Sequence, residues 1–202
     1  KKYEAEELRL FADIVEKGFV YRGKKPVYWS IPCRTALAEA EVEYADHVSQ
    51  SVFVKFPVVG EEKTHLIIWT TTPWTLPSNL ALAVGPDVAY SPRQAADGTV
   101  FVLGSEAVER YAAQLEGTTE VGTCLGGDLV GRTFTPMFDF FADRTDAFRI
   151  LGADFVDGSE GTGVVHMAPG FGEDDQTTCE AAGIPIGQVV PVDDLGRFTD
   201  QV

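Results

Sequence analysis

Three consecutive threonines, Thr70, Thr71 and Thr72, stand between an apolar run and Pro73, with Asn79 seven residues beyond the last of them. Short hydroxyls at a strand end, beside a proline-fixed turn, put donors and acceptors on rigid backbone, which suits binding a polar substrate or positioning a water. A second group lies farther along: His166 closes a Val164-Val165 strand core, and Glu173, Asp174 and Asp175 follow a Pro169-Gly170-Phe171-Gly172 turn. Taken alone each has a plain structural reading. A threonine-rich strand end needs no substrate, His166 can be a packed, hydrogen-bonded side chain, and Asp174 or Asp175 can cap the N-terminus of a helix. No serine or cysteine sits in a nucleophile elbow with histidine and aspartate partners. His166 fills the third glycine position of a G-x-G-x-x-G string, so the segment is no dinucleotide fingerprint. The glycines between 117 and 131 lack the Gly-Lys-Ser/Thr of a phosphate loop.

The elements that must carry these groups follow from periodicity. Leu66, Ile67, Ile68 and Trp69 predict a buried strand, stopped by Pro73 because proline cannot donate to a ladder. Further strands are predicted at 19–21, 27–31, 52–56, 80–84, 100–103, 148–151, 155–156 and 164–165. Residues 3–17 predict an amphipathic helix with Leu8, Phe11, Ala12 and Val15 on one face. Ser105 predicts the cap of a second helix with Val108, Tyr111, Ala112 and Leu115 inward, and a third helix runs from Glu173 to a stop at Gly183. Phe134, Phe138, Phe140 and Phe141 predict core rather than base-stacking positions. Many short strands with three helices predict an α+β fold, a barrel-like mixed sheet with peripheral helices. Residues 1–18 form a leading helix and linker, and 19–202 the main domain.

Composition narrows the partners. The chain has 202 residues, 45% of them hydrophobic, enough for one good core. It carries 16 Lys and Arg against 31 Asp and Glu, a net charge of −15, which argues against extensive wrapping of nucleic acid. The small cluster Arg22-Gly23-Lys24-Lys25 is a solvated turn or a local phosphate contact. No long apolar run and no signal-like start point to a soluble, cytoplasmic, monomeric protein with no membrane partner. Cys33, Cys124 and Cys179 are odd in number and far apart, as free thiols in a reducing compartment would be. Ser30 and Cys33 hold the spacing of a Cys-x-x-Cys pair with one thiolate missing, so no metal site and no cofactor are expected.

The string TTTPWTLPSN closely resembles the threonine-rich segment of the editing domain (connective peptide 1) of isoleucyl-tRNA synthetases. Valine and leucine enzymes have an arginine before the proline and an acidic residue after it, where this chain has Thr72 and Trp74. GTGVVHMAPG is similar to the second signature of that domain, and valyl enzymes usually have lysine at the place of His166. The stretch KPVYWSIPCRTALAEAEVEY (25–44) resembles the beginning of the same domain. The resemblance spans nearly the whole chain, which reads as a piece of a longer, ATP-binding parent enzyme. His-x-Gly-His and Lys-Met-Ser-Lys-Ser, the signatures of the synthetic half, are absent.

The resemblance implies proofreading by hydrolysis of mischarged Val-tRNA(Ile), and of valyl-adenylate. The partners implied are the 3′ end of that tRNA and the rest of the synthetase. By resemblance, Asp175 binds the substrate α-ammonium, with Asp174 as the alternative, and His166 walls the side-chain pocket. Thr70, Thr71, Thr72 and Asn79 hold the aminoacyl ester, the terminal adenosine and the attacking water, and Trp69 lines the adenosine side. Three other functions compete: an aminoacyl-adenosine binding module without turnover, a thiol hydrolase using Cys33, Cys124 or Cys179, and a structural insertion with no site.

Overall fold

The computed structural model describes residues 2–187 and 189–202. In chain order the elements are α1 (Lys2–Glu16), β1 (Tyr28–Ser30), β2 (Thr35–Leu37), β3 (Val52–Pro57), β4 (Thr64–Thr70), β5 (Ala81–Val84), β6 (Ala89–Gln94), β7 (Val100–Gly104), α2 (Ser105–Arg110), β8 (Thr119–Glu120), β9 (Cys124–Leu125), β10 (Arg149–Gly152), β11 (Val164–Met167) and α3 (Glu173–Ala181). The class is α+β with mixed sheets, as the pattern predicts. The largest sheet runs β3-β4-β7-β6-β8, with β9 also on β6; a second runs β10-β5-β11, and β1 and β2 form a separate ribbon. The sheets stay distinct, and no closed barrel forms among the described residues.

Two strands place the site. β5 is buried at all four residues because it lies between β10, parallel to it, and β11, antiparallel to it. Its unbroken apolar run is what a strand covered on both faces requires. β4 alternates: Leu66, Ile68 and Thr70 point into the core, while Ile67 and Trp69 point outward. β11 lies against β4, so the two sheets meet where Thr70 ends its strand. Beneath the junction lie Phe56, Leu66, Ile68, Leu82, Ile150 and Met167, each fully buried. Burying such a side chain stabilises by about 1.5–3 kcal/mol.

Several expectations are corrected. Residues 19–21 form no strand; Phe19 and Tyr21 are exposed and no neighbouring strand takes up their backbone groups. Residues 155–156 also form none. β6 escapes the sequence pattern because it contains Pro92. The Pro92 carbonyl accepts from Val121 N–H, so the absent proline N–H would face the gap between β8 and β9, where no ladder bond is lost. α2 stops at Arg110, so of the predicted apolar face only Val108 is helical, and Ser105 is its first helical residue rather than its cap; Gly104 holds that place. The Tyr111 ring instead meets Phe53 edge-on at 4.9 Å.

Of the four phenylalanines, Phe134 packs edge-on against Phe56 and Phe148 in the core, and Phe141 is partly buried. Phe138 and Phe140 stack on each other at the surface, each 38% exposed. α1 forms as predicted, but none of its residues is buried. α3 ends at a glycine as expected: Gly183, at φ +74°, lets its N–H reach Glu180 O while Ile184 N–H reaches Cys179 O. No helix among the described residues is long and apolar enough to cross a membrane.

Candidate functional site

β4 ends in a hydroxyl-built turn. Thr70 Oγ1 accepts the Thr72 N–H at 3.1 Å and lies 3.3 Å from Thr72 Oγ1, so the two side chains touch. Pro73 then opens a short 3-10 helix (Pro73–Ser78), where its fixed φ and missing N–H cost nothing at the first turn. Thr72 O accepts both the N–H and the hydroxyl of Thr75, at 3.0 and 2.9 Å. The 3-10 helix returns the chain to β11 through Leu80 N–H on Met167 O at 3.0 Å.

That return brings the two signature segments together at His166. Its Nε2 lies 2.8 Å from Thr75 Oγ1 and its Nδ1 lies 3.2 Å from Asn79 Nδ2. The hydroxyl proton of Thr75 goes to Thr72 O, so Nε2 carries the proton and donates to Thr75. Asn79 uses its other N–H on Ala81 O at 2.9 Å, so Nδ1 accepts. A second proton on Nδ1 would face an amide donor. Burial pushes the imidazole down to about 4, so His166 is neutral at physiological pH. Asn79 Oδ1 is buried and accepts from no group among the described residues.

Asp175 does not cap α3. Gly172 occupies the N-cap position without a side-chain bond, and Asp175 Oδ2 reaches back to accept Ala168 N–H at 2.7 Å. Glycine at 172 leaves room for this fold-back, because a Cβ there would stand 3.0–3.3 Å from the carboxyl group and the side chain would have to shift by a few tenths of an ångström. Burial raises the Asp175 carboxyl above its ordinary value, the Ala168 N–H opposes that rise, and the charge of Asp174 adds to it. Asp174 itself is exposed. The carboxylate is thus tied down at one oxygen, half-buried, in the first turn of a helix whose dipole favours an anion.

The predicted set divides. Thr70, Thr72, Asn79 and His166 belong to one network running through Thr75. Asp175 hangs from the backbone two residues past His166. Thr71 is exposed and stands outside the network. Trp69, on the outer face of β4, is 36% exposed and lines a cavity of about 470 Å³ with Phe155 and residues 156–165. Of the predicted residues it is the only one in that lining. Two residues were missed. Thr75 is the hinge of the network, and its signal was its spacing, three residues past Thr72 on a helical turn. Trp74 meets Phe171 edge-on at 5.0 Å and so ties the first signature to the turn before α3.

The remaining candidate groups are less suited to chemistry. Burial pushes the Cys179 thiol up to about 12 and raises that of Cys124, away from the thiolate a nucleophile needs. Cys33 is exposed, and its N–H meets Ser30 Oγ at 3.3 Å. Among the described residues no group of three or more His, Cys, Asp or Glu is placed to hold a metal. Of the basic cluster, Lys25 pairs with Glu173 at 3.0 Å and Lys24 donates to Gly187 O at 2.6 Å, which lays that segment beside the start of α3.

Neutral burial of His166 has a measurable consequence. Its folded pKa lies below the unfolded value of 6.5, so its contribution to stability is present above 6.5 and is lost as pH falls toward 4. The Tm difference between the parent and His166→Gln should therefore shrink as pH is lowered across that window. A difference constant from pH 7 to 4 would show that His166 titrates alike in both states.

The chain matches the family described as "tRNA synthetases class I (I, L, M and V)" over residues 1–191. It is 44% identical over 201 residues to the isoleucine--tRNA ligase of Fervidobacterium pennivorans and 43% identical over 203 residues to that of Thermotoga maritima, in each case across 98% of this chain and 21% of the relative. It therefore spans about a fifth of the length of these curated relatives. In fold it is similar to the crystal structure described as GlLeuRS-CP1, with a TM-score of 0.54 and 16% identity over 69% of this chain and 66% of that one. The chain belongs to the class I tRNA synthetases, as a segment similar to isoleucine--tRNA ligases with the fold seen in GlLeuRS-CP1.

Proposed function

We propose that this domain hydrolyses the ester of mischarged Val-tRNA(Ile) and, in the same site, the mixed anhydride of valyl-adenylate. The observation that carries this reading is the joining of the two signatures, Thr75 and Asn79 of the first gripping His166 of the second at 2.8 and 3.2 Å. An aminoacyl ester is already activated, so its hydrolysis needs an oriented water and a stabilised oxyanion rather than a covalent nucleophile or a cofactor. In this reading Asp175 holds the α-ammonium, with Asp174 adding negative potential behind it. Thr70, Thr71 and Thr72 offer hydroxyls to the ester and water. Asn79, whose Oδ1 is buried, serves the substrate by holding His166 in place through the imidazole Nδ1. Trp69 and its cavity take the terminal nucleoside. His166 is a wall and not a base, because its acceptor nitrogen is occupied by Asn79. The ribose hydroxyl beside the ester is left to relay the water's proton.

The deciding experiment is release of valine from Val-tRNA(Ile) by this chain, with Ile-tRNA(Ile) spared and with activity retained in EDTA. Binding of 3′-valylamino-3′-deoxyadenosine without turnover would make the domain a binding module. No rise in Tm with that analogue would leave a structural insertion. Activity abolished by alkylation would favour a thiol hydrolase.

Binding of the tRNA body should be weak. With net charge −15 and a few cations beside α3, the domain should neutralise only about two or three phosphates, giving a log-log salt slope no steeper than about −3. The rest of the synthetase supplies the main grip on the tRNA. A steep slope with tight binding by this chain alone would contradict the assignment.

A further inference from the structure

Arg110 closes α2 and turns its guanidinium toward the loop that walls the Trp69 cavity. Nη1 donates to Gly161 O at 2.7 Å, and Nη2 to Ser159 O at 2.6 Å and, at 3.4 Å, toward Gly158 O. Although the chain is acidic, no carboxylate pairs with this arginine among the described residues; its donors are spent on backbone carbonyls. Residues 158–161 have few other ties. Asp157 Oδ1 accepts from Ser159, and Gly158 and Gly161 take φ of +80° and +54°, conformations that an L side chain resists. On its inner side the loop faces the indole: a Cβ on Gly161 would lie 3.6 Å from Trp69 Cε3.

Just beyond Gly161 the anchoring changes hands. Thr162 O accepts Gly104 N–H at 2.7 Å, and the Tyr90 hydroxyl donates to Gly163 O. From Gly163 onward the chain is held by β7, Tyr90 and β5, so β11 and His166 do not depend on Arg110. Only the cavity wall does.

We propose that Arg110 is a positioning residue that fixes residues 158–161 as the wall opposite Trp69, and so sets how firmly the cavity holds the terminal nucleoside. This rests on the proposed deacylase reading, in which the cavity takes the remote part of the substrate while the ester lies at the threonines. A fork of guanidinium donors can satisfy several carbonyls at once; a lysine ammonium is a point donor that cannot reproduce it.

The test compares the parent chain with Arg110→Ala and Arg110→Lys, in steady-state deacylation of Val-tRNA(Ile) and in binding of 3′-valylamino-3′-deoxyadenosine. Loss of the latch should raise KM and the analogue Kd about tenfold, with kcat within about twofold and the preference for valine over isoleucine unchanged. Arg110→Lys should recover only part of the affinity. A fall in kcat at constant KM would place the loop in the chemistry, and a change in valine preference would extend its reach to His166; either overturns the proposal. Unchanged KM and Kd would reduce Arg110 to a surface contact. Should Arg110→Ala melt early, Arg110→Lys carries the comparison. A parent that neither turns over nor binds the analogue would sink the deacylase reading itself, which separates the two failures.

Discussion

Asp175→Ala should lower deacylation of Val-tRNA(Ile) at least tenfold, and Asp175→Asn should do nearly the same while leaving the fold intact. A charge-assisted bond to the α-ammonium is worth on the order of 1.5–3 kcal/mol, and its loss also misplaces the ester. The pair of variants separates two roles that alanine alone would mix. Asp175 Oδ2 accepts Ala168 N–H, so alanine leaves a buried donor unpaired and should lower Tm. Asparagine keeps an acceptor for that N–H and removes only the charge. Burial raises the Asp175 carboxyl, so its stabilising contribution is present below the unfolded pKa and lost as pH rises through the folded one. At neutral pH the ionised group is a cost to the fold, and Asp175→Asn should melt no earlier than the parent. Retained turnover in Asp175→Asn would mean that the carboxylate is a backbone anchor and the ammonium is bound elsewhere.

His166→Ala should make the domain hydrolyse Ile-tRNA(Ile), which the parent spares. Isoleucine exceeds valine by one methylene, and burial favours the larger side chain by about 0.8 kcal/mol. Attraction therefore points the wrong way, and the site must reject isoleucine by steric conflict. A wall does this only if it cannot yield. Bonds at both ring nitrogens, to Thr75 and Asn79, fix the imidazole plane, and its neutral charge keeps both bonds intact at physiological pH. Valine hydrolysis should change less, because the ring supplies no proton transfer. Loosening the wall without removing it should act in the same direction: Thr75→Val deletes the partner of Nε2 and should raise isoleucine hydrolysis by a smaller factor. If His166→Ala instead loses valine hydrolysis and still spares isoleucine, His166 takes part in the chemistry and the sieve lies elsewhere.

Local rules made much of this protein legible. The apolar run at 66–69 followed by Pro73 determined where β4 must end, and the PGFG turn with its acidic sequel placed the start of α3. Alternation and proline chemistry act over a few residues, so composition suffices to state them. The pairing of β4 with β7 and of β5 with both β10 and β11 was not legible, because it is decided by partners far along the chain. β6 was hidden for the same reason: Pro92 argues against a strand until the gap opposite it is known. The site divides along this line. The sequence determined which polar residues were available, Thr70 to Thr72, Asn79, His166 and the acidic pair. Only the tertiary structure decided that Thr75 joins Thr72 to His166, that Asp175 folds back onto Ala168 and not onto its own helix, and that Arg110 holds a wall some fifty residues away in the chain. Hydrogen bonds between segments distant in sequence exist only once the core has brought the two sheets together, and no local pattern encodes which donor will meet which acceptor.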